Sequence, residues 1–394
     1  MRPIRRAALT YVAYFAAVGA AFPYLPVYYH SLGLGLGTIG LVTATYSGVQ
    51  LVGAPAWGAL ADRFHRSRLT LPFAAMVATG GALLLAGADN VAGVLAAATI
   101  LAFGLSGIGP VLDSRTLEIL GPDRIRYGQL RAWGSLSFVV VALAVGVLLD
   151  REGTHALFWV YVPALVLTAL IAGTLPRSGS SRSVSVLRGA MGILRDREMR
   201  VFLFAVLLVF IALNAVAAFY SIALVALGGN DSGVGAVWAL GAIVEVPVMY
   251  AYPRLARRFG SGRLLVLGAA MFALRSALAA LARDPVALIL IAPVEGLGYG
   301  LFFVGGVDFV SHRAPRGLSA TAQGLYTATG GLSAIVGAAT GGAIAAAFSI
   351  QWLFAACAAI GVVGAVVIGY AVSREAPVAA GSLAGRAAGA ARTD

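Results

Sequence analysis

The sequence contains no lysine, a single cysteine and few charges of any kind. Cys357 stands alone, which excludes a disulfide within the chain and a metal site built on cysteine. Charged residues make up 11%, whereas a soluble domain carries about a quarter. No Gly-x-x-x-x-Gly-Lys run occurs, so ATP drive within this chain is excluded. His-Glu-x-x-His and Gly-x-Ser-x-Gly are also missing, which speaks against a membrane protease or serine hydrolase. No cofactor and no enzyme activity are expected.

What is present in their place is apolar chain. Hydrophobic residues make up 60% of the 394, in long runs separated by short polar breaks. Twelve runs are candidate spans, near 7–30, 38–60, 69–88, 91–120, 128–149, 156–175, 200–227, 233–253, 263–282, 286–312, 319–347 and 350–372. The runs are continuously apolar and lack the alternation of a barrel strand. Helices satisfy their own backbone hydrogen bonds, so the expected fold class is an all-α membrane protein. The opening "MRPIRR" with its apolar continuation is too long for a signal peptide and reads as a retained first helix.

The net charge of +12 rests entirely on arginine. Nucleic acid would require these residues on one soluble face. They lie instead in alternate short loops. One set holds Arg2, Arg5, Arg6, Arg63, Arg66, Arg68, Arg124, Arg126, the six arginines of 177–200, Arg254, Arg257, Arg258, Arg263, Arg313, Arg316, Arg374, Arg386 and Arg392; the other holds only Arg151 and Arg283. Arginine-rich loops stay in the cytoplasm. Both termini are then cytoplasmic, the number of spans is even, and the lipid bilayer, not nucleic acid, is the partner.

The longest polar break, "PRSGSSRSVSVLRGAMGILRDREMR", divides the chain. The expected domains are a six-helix bundle at 1–175, a cytoplasmic linker at 176–199, a second six-helix bundle at 200–373 and a disordered tail at 374–394. A short amphipathic helix is expected at 186–194. "GALADRFHRSR" (58–68) after the second span and "YPRLARRFGSGR" (252–263) after the eighth echo each other. Such repeats build transporters that rock around a central site.

Several charges lie inside the apolar runs. A charge at the bilayer centre costs about 2.5–3.5 kcal/mol on insertion scales, so it faces a bundle interior or a wet cavity and usually carries function. Asp113 and Arg131, on adjacent spans, are expected to neutralise each other. Arg275 and Glu295 lie deeper, in spans nine and ten; Glu245 and Asp308 are further candidates. Arg115 and Glu118, at i and i+3, read as a pair at the solvated end of span four.

"GALADRFHRSR" resembles the loop motif of the major facilitator superfamily, Gly-x-Leu-x-Asp-Arg-x-Gly-Arg-Arg or Lys. Gly58, Asp62, Arg63 and Arg66 match, and His65 replaces the second glycine. The resemblance implies twelve helices in two pseudo-symmetric bundles, with these four residues in gating. "PVLDSRTLEILGPDRIRYGQLRAWGSLSF" is similar to the lactose permease-like and phenylpropionate transporter-like branch. There an acidic residue on helix four precedes a Tyr/Phe-Gly-x-x-Arg run. By that resemblance Asp113 and Arg131 bind solute, and Phe138 takes the place of a stacking tryptophan. Arg275 matches an arginine of helix nine, and Glu295 falls at a histidine of helix ten within the proton-coupling network. Gly298 replaces that helix's glutamate, and Asp308 a nearby basic residue. Glu245 lies one turn beyond a sugar-binding glutamate.

The expected activity is proton-coupled symport of a small organic solute by alternating access. An aromatic or other small organic acid comes first, a sugar or nucleoside next. A proton-driven exporter of drugs or metabolites is the alternative. Asp113, Arg131, Phe138 and Asn214 would bind solute; Glu295, Arg275, Glu245 and Asp308 would couple protons. Desolvation disfavours the charged form of a carboxylate, so Glu295 in a poorly hydrated cavity is the expected proton carrier. The protein is expected to be a monomer in a bacterial plasma membrane.

Overall fold

The computed structural model describes residues 3–63, 69–121, 126–176, 186–314 and 318–373, without the side chains of 61–63, 186–190 and 319–320. Arg66, most of the linker before residue 186 and the tail at 374–394 lie outside the described residues. Every described element is helical. They are α1 (Pro3–Ala21), α2 (Leu25–Ser31), α3 (Leu36–Arg63), α4 (Thr70–Ala86), α5 (Val91–Leu120), α6 (Tyr127–Glu152) and α7 (Leu157–Ala172). Then follow α8 (Val186–Arg195), α9 (Arg197–Ala226), α10 (Asp231–Phe259), α11 (Ser261–Leu281), α12 (Pro285–Arg313), α13 (Ser319–Ala347) and α14 (Ile350–Ser373).

Local chemistry sets the helix starts. Asn90, Asp196, Asn230 and Asp284 stand in extended backbone just before α5, α9, α10 and α12, and each side chain accepts a hydrogen bond from an N–H of the first turn. Such caps contribute about 0.5–2 kcal/mol each. Asp196 starts α9 at Arg197, three residues before the apolar run suggests. The first span is not one helix. It breaks into α1 and α2 at 22–24, where Pro23 offers no N–H and Pro26 is suited to the first turn of α2.

Ten spans are long and apolar enough to cross a membrane by length and composition, with α1 and α2 counted together. α4 has 17 residues, and α3 carries Thr38, Thr43, Thr45, Tyr46, Ser47 and Gln50. Both pack against spans of the first half, α3 and α4 on α5 and α4 on α7, but neither is among the ten.

The packing repeats. In the first half α4 packs on α5, α1 on α6 and α7, α3 on α5, and α4 on α7. In the second half α11 packs on α12, α9 on α13 and α14, α10 on α12, and α11 on α14. Each pairing in one half has its counterpart in the other, in the same order along the chain. Two long seams join the halves, α3 against α13 and α6 against α10, and α2 adds a smaller contact with α9.

Both seams are tightest at the end opposite the arginine-rich loops. A Cβ on Gly40 would lie 2.6 Å from the Ala338 carbonyl oxygen and 2.7 Å from Gly342 Cα, so only glycine permits this approach of α3 to α13. At the other seam a Cβ on Gly146 would lie 2.7 Å from the Asp231 carbonyl oxygen. Tyr24 donates a 2.5 Å hydrogen bond to the Ala142 carbonyl beside it. Asp150, at the end of α6, accepts from the N–H groups of Asp231 (2.8 Å) and Ser232 (3.2 Å), from the Asn230 amide (3.1 Å) and from the Ser232 hydroxyl. A carboxylate is well placed there, because the first N–H groups of α10 have no partner in the helix and carry its positive end.

Candidate functional site

Asp113 and Arg131 come together, 3.7 Å apart between Oδ2 and a guanidinium nitrogen. α5 and α6 supply them, and α1 closes the group. Tyr11, buried on α1, donates a 2.5 Å hydrogen bond to Asp113 Oδ1. Arg131 donates to the Tyr127 hydroxyl at 3.2 Å. The Asp113 and Arg131 side chains are 34% and 52% exposed, and their separation is too long for a hydrogen bond. This pair is therefore partly exposed and loosely shut. Separating the two charges costs little, since exposed ion pairs contribute only about 0–1 kcal/mol.

Tyr127 is the member of this group that a reading by charge passes over. Its i, i+4 spacing to Arg131 is the signal that finds it. Arg115, expected at a solvated helix end, is instead buried on the packed face of α5 with Leu112 and Thr116. Its i, i+3 spacing from Leu112 turns it inward rather than toward water.

A second ion pair lies within the other half. Arg275 on α11 and Glu295 on α12 meet at 2.9 Å, and Arg275 is 1% exposed. The guanidinium also stacks over the Tyr220 ring of α9, 4.1 Å from its centroid. Tyr220 holds its own place by donating to the Leu288 carbonyl at 2.8 Å. Breaking a buried pair by removing one partner costs about 3–5 kcal/mol, because it strands the other charge. Glu295→Ala is accordingly expected to lower the melting temperature in detergent sharply. Glu295→Met with Arg275→Met is expected to recover most of that loss, and equal melting temperatures for wild type and Glu295→Ala would refute the pair's structural weight.

Glu245 on α10 is half-buried and makes no ion pair among the described residues. It lies within electrostatic reach of Glu295 in its own half and of Arg131 in the other. Tyr299 on α12 lies within electrostatic reach of the same three groups. These residues bring the two halves' charges to one region.

The remaining candidates take no part in either ion pair. Asp308 pairs with His312 at 3.3 Å, one turn along α12. It stands thirteen residues from Glu295, about 20 Å along the helix. Asn214 donates to the Phe210 carbonyl (2.8 Å) and the Ser333 hydroxyl (3.2 Å), which ties α9 to α13. Phe138 is half-buried on α6, with its backbone against Gly19 of α1. Of the loop motif, Gly58 lies near the end of α3 with open space around it. Asp62 and Arg63 close that helix, their side chains outside the described residues, as Arg66 is altogether.

A helical bundle whose two halves repeat their packing, with charges gathered between them, has the architecture of a membrane transporter. The comparisons agree, and they are more specific. The chain belongs to the MFS_1 like family, whose profile matches residues 4–356. It is 32% identical to the maltose permease of Geobacillus stearothermophilus over 364 residues, 90% of this chain and 91% of that one. It is 26% identical over 274 residues to a probable 3-phenylpropionic acid transporter of Escherichia coli, covering 68% of this chain and 72% of that one. The crystal structure of the nucleoside transporter NupG superimposes with a TM-score of 0.86 at 18% identity, over 95% of this chain and 100% of that one, a likeness of fold. The chain is a multi-pass membrane transporter of small solutes, and not an enzyme.

Proposed function

We propose that this chain is a proton-coupled symporter for a small neutral sugar, working as a monomer in a bacterial plasma membrane. The observation that carries the reading is the charge balance between the halves. Three carboxylates (Asp113, Glu245 and Glu295) face two guanidiniums, and both guanidiniums are already paired. With Glu245 charged, a carboxylate solute would meet surplus negative charge; with Glu245 protonated the charges balance, and neither guanidinium is free to receive an acid. A polyhydroxylated solute meets neither obstacle. Asp113 accepts its hydroxyls, Arg131 donates as a rigid fork, and Phe138 offers a ring face for its apolar side. The similarity to a maltose permease along most of both chains supports the same ranking.

Coupling is assigned first to Glu245. It can change charge without breaking a contact, whereas neutralising Glu295 would strand Arg275 in the protein interior. Proton and sugar enter together, the halves rock, and both leave on the other side. The arginine-rich loops support a cytoplasmic position for both termini. The seams at the opposite end then make this the state closed to the outside.

Proteoliposomes with an imposed proton gradient test the reading. Labelled maltose is expected to accumulate in the direction of proton entry, and 3-phenylpropionate is not. Accumulation of the acid alone would move the substrate to organic acids. Solute movement against proton entry would make the protein an exporter.

The outer seam gives a separate test. Asp150→Ala removes the bonds onto the start of α10, worth about 1 kcal/mol for a capping residue. The population of the state open at that end is expected to rise several-fold. Spin labels at Gly35→Cys and Phe348→Cys would report it as a longer distance component. An unchanged distance distribution would show that the seam rests on its glycine contacts alone.

A further inference from the structure

α8 is not used by the transport mechanism, and its surface is two-sided. Ile193 is buried with Met199 and Phe202 of α9, which fixes α8 beside α9 and α13. Met191 is 61% exposed and Leu194 40% exposed. Met191, Leu194 and Arg195 share one strip, at i, i+3 and i+4. Arg195, Arg197 and Arg200 are all exposed at this corner, and Arg200 donates to the Leu194 carbonyl at 3.2 Å. The nearby acids are engaged elsewhere: Asp196 caps α9, and Glu198 pairs with Arg313. No ion pair offsets Arg195 or Arg197 among the described residues.

The depth of the strip follows from its neighbour. α9 begins two residues after α8 ends and runs for 30 residues. That is about 45 Å of helix, against a hydrocarbon core of about 30 Å. The exposed charges of its first turn, Arg197, Glu198 and Arg200, select that end of α9 to emerge among the lipid headgroups, and Ile193 holds α8 at the same level. An apolar strip bordered by arginine at that height matches helices that lie in the membrane plane.

We propose that α8 is an interfacial helix that binds anionic phospholipid. Met191 and Leu194 enter the boundary between headgroups and acyl chains. Arg195, Arg197 and Arg200 take the phosphates and other anionic headgroup oxygens, with guanidinium forks suited to them. This binding is independent of which solute the central site carries.

The test uses the full chain with Met191→Cys carrying a fluorescent bimane; buried Cys357 resists labelling. The protein is placed in nanodiscs of phosphatidylcholine, with or without phosphatidylglycerol. The label is expected to be quenched by lipids bearing a nitroxide near the headgroup and shielded from aqueous iodide. Phosphatidylglycerol is expected to strengthen the lipid quenching, and each of Arg195→Gln, Arg197→Gln and Arg200→Gln to weaken that preference about fivefold. Free access to iodide would overturn the proposal. So would shielding from both quenchers, which means the strip is covered by protein. Equal lipid quenching with and without phosphatidylglycerol would overturn the anionic recognition.

Discussion

Arg131→Ala is expected to weaken solute binding at least about 100-fold and to leave the protein folded. Two charge-assisted hydrogen bonds at about 1.5–3 kcal/mol each account for the loss. The melting temperature should move little, because the Arg131–Asp113 pair is half exposed and 3.7 Å long. Arg131→Lys should recover only part of the affinity, since an ammonium donates as a point and cannot fork across two hydroxyls. Calorimetric titration of purified protein with maltose measures the two affinities, and a thermal unfolding scan measures the melting temperature. Tyr11→Phe makes a graded control: Asp113 keeps its charge but loses the 2.5 Å donor that orients it. Unchanged affinity in Arg131→Ala would remove the pair from the site and leave the charge balance without its central member.

The Asp113–Arg131 pair was legible because charge is conspicuous in an apolar run. Asp113 and Arg131 break the hydropathy of their spans, and so do Arg275 and Glu295. The tyrosines do not. Tyr127 and Tyr220 sit comfortably at many membrane depths, so nothing in composition marks them, yet one holds the Arg131 guanidinium and the other carries the Arg275 guanidinium on its ring. Depth along a helix was equally hard to read. Glu295 and Asp308 share α12, but about 20 Å of helix separates them, and only the packing shows that the first meets Arg275 and the second meets His312. The repeat was visible in two arginine-rich turns, whereas its full extent needed the helix pairings. The break between α1 and α2 was present as Pro23 and Pro26, but an apolar run across it hid the interruption.

Glu245→Gln is expected to abolish accumulation driven by a proton gradient while equilibrium exchange of labelled sugar continues. Glutamine keeps the size and polarity of the side chain and removes its capacity to carry a proton. Because Glu245 makes no ion pair, the substitution strands no partner and the protein should keep its melting temperature. Glu295→Gln differs on that last measurement: it leaves the Arg275 guanidinium, 1% exposed, beside a neutral amide and should destabilise the second half. The two variants thus separate coupling from folding. If Glu245 carries the proton, the affinity for sugar in Glu245→Gln should lose its dependence on pH. The wild-type affinity should fall as pH rises and the carboxylate recovers its charge beside Glu295. Normal gradient-driven accumulation in Glu245→Gln would clear this residue and return the proton to the Arg275–Glu295 pair, whose exchange with solvent would then require the pair itself to open during the cycle.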